Sequence, residues 1–444
     1  MTFSKNRQNA KRLSLVLWVI LMKMHRFVLS LLEKFHHLVY SDSYMESAKV
    51  HPSAFTRRRK MSFVQYILFI LEKSGRSLQA ALNTFFSSMK EANSEYSKQA
   101  FSKGRLRIRP EAIRTLFDFT VKEFYTNAPF NTFLGYRVLA IDGTRLNLPG
   151  TTELAAEYGV QTSQGADQVQ ALVSCLYDVV NKILVDVRFS HCKNSERADA
   201  ADMIHCLGDQ CAVKNLILMD RGYPSAELLH LLEDEKHAYV VRCCTEFVKG
   251  MKLKGNDCII EHRFAKTKNK SIKLRIVTIA LPNGKKEILA TNLFSEEITP
   301  EKLAEIYKMR WGIETQYDVI KNKLSIENFS GNSKIAVLQD FYATMTLWNL
   351  TGILALDVKD EIEAQHNTAE NQYSYQLNIS MTISALKEQV IELVMCGSKI
   401  KSGRILRKIV KALRRCVVPV RPNRSLERKR KHTALKFHNN NKFI

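Results

Sequence analysis

Residues 136–149, YRVLAIDGTRLNLP, decide the fold, because a strand-like apolar run ends here on a turn at Asp142–Gly143 and the pattern of the chain changes. Before this stretch, residues 1–130 carry helical periodicity. Apolar residues fall on one side of 14–35, and 63–72 (FVQYILFILE), 78–86 (LQAALNTFF) and 112–124 repeat the pattern. After it, 171–180 (ALVSCLYDVV) and 182–190 (KILVDVRFS) read as strands joined by a tight turn at Asn181. Asn194 or Ser195 caps a helix over 196–207, and 215–220 (NLILMD) is a short apolar strand. Pro224 and Ser225 open another helix to Glu235, and 238–243 (AYVVRC) makes a fifth strand.

Three strands, then helix, strand, helix and strand, is the order of a ribonuclease H-like core, an α/β fold with a mixed sheet flanked by helices. Residues 246–293 interrupt that alternation. Segments 252–257, 258–265, 272–281 and 287–292 read as short strands parted by Gly- and Lys-rich turns, a β-rich insertion. Thr299 and Pro300 then supply an N-cap and a first-turn proline, which predicts one long helix through about Lys323. Residues 341–356 and 383–395 read as further helices, with 357–380 as a loose polar connection.

The 444 residues are 45% hydrophobic and 25% charged, which is ordinary globular composition with ample material for a large core. The net charge of +23, with a pI near 9.6, is not ordinary, and nucleic acid is the polyanion that fits it best. From Cys396 onward 16 Lys and Arg face a single acid, Glu427, so the tail carries +15 and the first 395 residues only +8. Within the tail Arg404, Arg407, Lys408, Lys411, Arg414 and Arg415 interleave with Ile405, Leu406, Ile409, Val410 and Leu413 at helical spacing. A basic amphipathic helix lying along phosphates is the expectation, and a membrane-surface helix is the alternative. Two further basic stretches, Arg57–Lys60 and the alternate cations Lys103, Arg105, Arg107 and Arg109, suit phosphate contacts or are ordinary solvated faces.

Nine cysteines without CxxC spacing give no zinc or disulfide framework and read as reduced thiols of a cytosolic protein. The apolar run 13–22 is too short to span a bilayer and no small-residue cleavage site follows it, so a buried helix is expected there.

Three carboxylates stand where metal chemistry wants them. Asp142 ends the first strand, Asp220 ends the fourth, and those two strands are neighbours in this topology. Glu314 lies on the helix expected to cross beside them. Hard cations such as Mg²⁺ take oxygen ligands and keep several waters, so few carboxylates suffice. A strand-end aspartate alone is more often a turn former, and Asp178 and Asp186 compete for the role. The helix adds Tyr307, Arg310, Glu314 and Lys321 at intervals of 3, 4 and 7, which keep side chains on one helical face. Arg and Tyr bind phosphate oxygens, Lys supplies a point charge and Glu holds metal, although a plain amphipathic helix with a Glu–Arg pair shows the same spacing.

Tyr-x2-Arg-x3-Glu-x6-Lys at 307, 310, 314 and 321, with Trp311 and Ile313, resembles the signature of insertion-sequence transposases of the IS-four type, a branch of the DDE recombinases. AIDGT at 140–144, DRGYPS at 220–225, TNL at 291–293, ENFSG at 327–331 and the N-terminal FTRRRKMSF and SKQAFSKGR are similar to that family too, so the resemblance covers about residues 50–430. It implies that Asp142, Asp220 and Glu314 bind Mg²⁺ or Mn²⁺, and that Tyr307, Arg310 and Lys321 contact the DNA backbone near the cut. It implies cleavage of double-stranded DNA at terminal inverted repeats and joining of 3′ hydroxyls to target DNA, by a homodimer on paired ends. A bacterial cytoplasmic, nucleoid-associated location and no membrane partner follow from the same resemblance. The corresponding organisation is an N-terminal helical DNA-binding domain (1–130), a catalytic domain (131–245 and 294–395), the insertion (246–293) and a basic tail (396–444).

One departure stands out. Some relatives carry a tryptophan in the insertion that stabilises a flipped base during hairpin formation, whereas the tryptophans here are Trp18, Trp311 and Trp348. Phe247 and Phe264 are the aromatic substitutes. Two other functions stay open at this point: a DNA-binding protein of the same fold without catalysis, and a metal-dependent nuclease without strand transfer.

Overall fold

The computed structural model describes residues 23–72, 77–89, 96–163, 166–208, 211–249, 251, 254–264, 270–281, 284, 286–322, 324–366 and 371–421. The apolar run 13–22, Trp18 and the tail beyond 421 lie outside these. The chain clusters into two compact units. One comprises Met1–Pro129, Leu148–Leu154 and Ile320–Ile444, and the other Phe130–Asn147 and Ala155–Val319.

The first unit begins with helical residues 23–39 (α1), followed by α2 (Asp42–Ala48), α3 (Phe63–Glu72), α4 (Leu78–Ser88), α5 (Lys98–Arg105) and α6 (Pro110–Asn127). Local chemistry sets their starts. Ser41 and Ser97 accept the N–H groups of Tyr44 and Ala100 as N-caps, and Pro110 stands in the first turn of α6.

The second unit holds β1 (Arg137–Asn147), most of α7 (Thr152–Tyr158), β2 (Val160–Ser163), β3 (Ala166–Asp178) and β4 (Ile183–His191). Next come α8 (Glu196–Leu207), β5 (Asn215–Met219), α9 (Ala226–Asp234), β6 (Ala238–Cys243) and α10 (Thr245–Val248). The unit continues with β7 (Asp257–His262), β8 (Ile272–Ala280), β9 (Lys286–Thr291), α11 (Pro300–Lys308) and α12 (Trp311–Asn322), whose last residues fall in the first unit.

These nine strands form one sheet in the order β2-β3-β1-β5-β6-β9-β8-β7, with β4 on β3. β3 runs antiparallel to β1 and β4, whereas β1, β5 and β6 are parallel. The core order β4-β3-β1-β5-β6 is the ribonuclease H-like arrangement that the element order predicts. β5 is buried at every position and apolar at all but its first, Asn215, which accepts from buried Arg137 at 2.7 Å. The β3–β4 turn explains Asp178: its carboxylate accepts the N–H groups of Val180 and Asn181, with Lys182 left-handed at φ 62°. Asp186 is paired with Arg188 at 2.9 Å.

The insertion extends this sheet, since β9 pairs antiparallel with β6. Of the strand expected at 252–257, residues 252–253 lie outside the described residues. Residues 254–256 are not strand, Gly255 and Asn256 making a bend, and Asp257 starts β7. Arg275 on β8 donates to both carboxylate oxygens of Asp257, at 2.9 and 2.7 Å, and to the carbonyl of Ile298 just ahead of α11.

The single long helix expected from 300 to 323 is two helices. Met309, Arg310, Gly312 and Ile313 donate to Ile306, Tyr307, Met309 and Arg310, a run of tight i to i−3 bonds that breaks α11 from α12.

Back in the first unit, α13 runs over 33 residues, Lys334–His366, so the expected loose connection from 357 is helical to 366. Largely buried through its middle, it meets the demands of Thr344, Thr346 and Thr351 by bonding their hydroxyls to carbonyls one turn back. β10 (Ser374–Leu377) pairs with β11 (Val417–Val420), flanking α14 (Ile379–Cys396) and α15 (Lys399–Leu413). The basic amphipathic helix forms as expected: Leu406, Ile409 and Leu413 of α15 are buried, while Lys401, Arg404, Arg407, Lys408 and Lys411 are exposed. Arg105 corrects a different expectation. It is 1% exposed and donates to Asp340, Ser330 and Gln339, so it is a structural ion pair rather than a phosphate contact. Among the described residues no helix is long and apolar enough to cross a membrane.

Candidate active site

Asp142 lies inside β1, not at its end. β1 pairs with β5 only as far as Ala140 and Leu218, but its antiparallel pairing with the long β3 carries it on to Asn147. Asp142 and Asp220 each stand two residues beyond that last parallel pair, at the level where β5 stops. Asp220 follows β5 directly, accepts the Gly222 N–H at 2.7 Å and is half-buried.

Asp142 is half-buried too, accepting the Gly143 N–H at 3.0 Å. Burial pushes its carboxyl up to about 7; the Gly143 N–H and Arg310 oppose the shift, and the negative charges of Asp220 and Glu314 add to it. The structure therefore brings Asp142, Asp220, Glu314 and Arg310 within electrostatic reach of one another. Among the described residues no three His, Cys, Asp or Glu side chains are gathered into a ready-made cation cage. The donor set still fits a hard cation. It consists of carboxylate oxygens, and the nearby Cys175 thiol, opposite Asp142 on β3, is pushed up to about 12 by burial and supplies no thiolate.

Glu314 sits in the first turn of α12, where Arg310 Nη2 donates to its Oε1 at 2.7 Å. The Arg310 guanidinium also lies 5.7 Å from the centre of the Tyr307 ring. Tyr307 ends α11 and Arg310 falls in the break, so the expected single stripe is a pair of helix ends brought together by the guanidinium. Tyr307 Oη and Arg310 Nε are both buried, and the phenol and guanidinium act on each other. Lys321 lies in the last turn of α12 and belongs to the other unit.

Three neighbours are not evident from the sequence. Tyr317, one turn past Glu314, donates its hydroxyl to the main-chain oxygen of Asp142 at 2.5 Å, tying α12 to β1. Its i+3 spacing from Glu314 is the available signal. Glu196 opens α8, and a Cβ placed on Gly143 would fall 2.8 Å from its Cδ, so only glycine fits beside Asp142 without moving that carboxylate. Tyr223 of the DRGYPS stretch is buried, its hydroxyl within reach of Glu196 and under the influence of Asp142 and Asp220.

Of the insertion aromatics, Phe247 and Phe264 are half-buried with ring centres 5.4 Å apart. Trp311 is 59% exposed beside Arg310, and Trp348 is buried in α13.

Residues 133–350, which hold β1 through much of α13 and every carboxylate named above, match the family model described as the transposase DDE domain. The chain is similar to the transposase InsG for insertion sequence element IS4 of Escherichia coli K12, 24% identical over 302 residues, or 65% of this chain and 67% of that protein. These two matches support a DDE transposase of the IS4 insertion-sequence type. A piggyBac transposase synaptic complex with hairpin DNA, solved by cryo-EM, gives a TM-score of 0.47 at 12% identity over 88% of this chain and 86% of that one. The fold assignment rests on the strand order rather than on that likeness.

Proposed function

We propose that this transposase cuts double-stranded DNA at the terminal inverted repeats of its element and joins the freed 3′ hydroxyls to target DNA, with Asp142, Asp220 and Glu314 holding two Mg²⁺ or Mn²⁺ ions. The observation that carries the reading is the placement of Asp142. It stands level with Asp220 past the last β1–β5 pair, half-buried, with Glu314 and Arg310 near enough to act on its charge. Such ions, when bound, activate the attacking oxygen and stabilise the leaving one.

The chain's own residues supply position. Tyr317 holds α12, and with it Glu314, against the Asp142 backbone. The Tyr307 hydroxyl and the Arg310 guanidinium, set against each other beside Glu314, donate to phosphate oxygens of the strand being cut. Lys321 adds a cation two turns beyond Glu314 on the same helix. The N-terminal helices recognise the element's ends, and a homodimer pairs them.

The test is a reaction of element-end duplex with a target plasmid, with Mg²⁺ or Mn²⁺ and with chelator. Metal-dependent breaks at the repeat termini and joined products are expected. Breaks without joining favour a nuclease, and no breaks at all favour a DNA-binding protein of this fold.

A further inference from the structure

Two basic stretches that the active site leaves unused meet in the first unit. Arg57 and Arg59 from one, and Arg107 from the other, line a concavity of about 410 Å³ whose walls include His51, Phe55 and Leu106. Its frame is fixed by hydrogen bonds. A bridge joins Lys49 to Ile108, the Val50 N–H donates to the Arg107 carbonyl at 2.9 Å, and the Arg109 N–H donates to the Ala48 carbonyl at 2.8 Å. The intervening loop is closed by the Ala54 N–H on the His51 carbonyl and by Thr56 Oγ1 on the Ser53 carbonyl.

Phe55 has a φ of 60°, a left-handed conformation that a bulky side chain rarely adopts. Its ring is held edge-on by Phe63 and Tyr66, at 5.4 and 5.7 Å between centres, and so anchors the loop that presents Arg57 and Arg59. That strain is retained in a loop whose following residues, 56–60, are all exposed.

The charge in the concavity has one sign. No carboxylate lines it, and among the described residues none of the three guanidinium groups has a hydrogen-bonded or ion-paired partner. Guanidinium forks left without acids match phosphate oxygens, and the apolar wall suits a sugar–phosphate chain better than an isolated inorganic anion. Leu106, 40% exposed, supplies much of that wall.

We propose that this concavity binds the phosphodiester backbone of duplex DNA, with Arg57, Arg59 and Arg107 on phosphate oxygens and Leu106 against deoxyribose. The proposal rests on the reading of the chain as an enzyme of duplex DNA, and it adds a phosphate site in the first unit. It also turns Arg107 into a ligand-binding group while its neighbour Arg105 stays structural.

The test is fluorescence anisotropy of a labelled element-end duplex with the full chain across a KCl series. Wild type is compared with the triple variant Arg57→Ala, Arg59→Ala, Arg107→Ala. A charge-matched control carries Arg58→Ala, Lys98→Ala and Lys103→Ala, three cations outside the concavity. The slope of log affinity against log salt is expected to fall by about 2 to 3 in the cavity variant, near 0.9 for each phosphate no longer neutralised, and by less than about 1 in the control. Equal changes in the two variants overturn the proposal while leaving the transposase reading intact. Wild type that binds no duplex at any salt overturns that reading and the proposal with it. Should the triple variant not fold, Arg59→Glu against Arg58→Glu gives the same comparison, with about a tenfold or greater loss expected for the former alone.

Discussion

Arg310 donates from Nη2 to Glu314 Oε1 across 2.7 Å, joining the turn that ends α11 to the first turn of α12. The guanidinium side chain is 6% exposed and the carboxylate 30%, so the pair sits at the edge of water with one face buried against Tyr307. Were Glu314 to hold a cation, the guanidinium fork of Arg310 would be available to phosphate.

Arg310→Ala removes both the counter-charge and the phosphate donor. Single-turnover cleavage of an element-end duplex is expected to slow by about 10² to 10³-fold, the range for losing one preorganised donor. Arg310→Lys keeps the charge without the fork and is expected to recover only part of the rate. A wild-type rate in Arg310→Ala would contradict the assigned role.

Arg275 holds Asp257 below the usual carboxylate range, because it donates to both carboxylate oxygens. A carboxylate lowered in the folded state stabilises the protein above its unfolded pKa, and that contribution is lost as pH falls through the folded value. Asp257→Asn is therefore expected to lower Tm at pH 7, with the gap to wild type closing below about pH 4. Arg275→Ala also frees the Ile298 carbonyl ahead of α11 and is expected to cost about 1 kcal/mol, since Arg275 is buried but Asp257 is exposed and water screens the pair. Thermal unfolding against pH checks both, and a pH-independent gap for Asp257→Asn would count against the pairing.

Gly104 in the SKGR stretch faces Tyr66 so closely that a Cβ would fall 1.7 Å from the phenol oxygen. That oxygen is already 2.5 Å from the Tyr96 hydroxyl, which limits its escape. Gly104→Ala is expected to destabilise by about 2 kcal/mol through overpacking. Urea unfolding gives the value, and an unchanged midpoint would show that the Tyr66 ring moves freely.

Much of this architecture is legible because strands and helices of the second unit announce themselves by period. The apolar 215–219 run and the Asn181 turn fall where their residues demand. Less visible is anything set by a partner far along the chain. Asp142 looks like a strand end because Gly143 follows it, yet β3 supplies pairing for five more residues. The break between α11 and α12 leaves only Gly312 as a local sign, since it comes from a shift to i−3 bonding. Arg105 sits among alternating cations and is distinguished from them only by Asp340, 235 residues away. Tyr317 and Glu196 are hidden for the same reason: each touches Asp142 or its glycine from another element.

The exposed cations of α15 give a separate prediction. Truncation after Cys396 would remove a packed helix along with its charge, so substitution is the cleaner probe. Lys401→Ala, Arg404→Ala, Lys408→Ala and Lys411→Ala together are expected to flatten the salt dependence of duplex binding by about 0.9 for each phosphate these cations neutralise. An unchanged slope, with lost sedimentation on anionic vesicles, would favour the membrane-surface alternative.

The most direct measurement is cleavage of an element-end duplex by wild type and Asp142→Asn across a range of Mg²⁺ and Mn²⁺ concentrations, with DNA affinity measured alongside. Asp142→Asn is expected to bind the duplex as wild type does and to cut it at no concentration of either ion. Cutting by Asp142→Asn at the wild-type rate would contradict the assignment of Asp142, Asp220 and Glu314 as the metal-holding set.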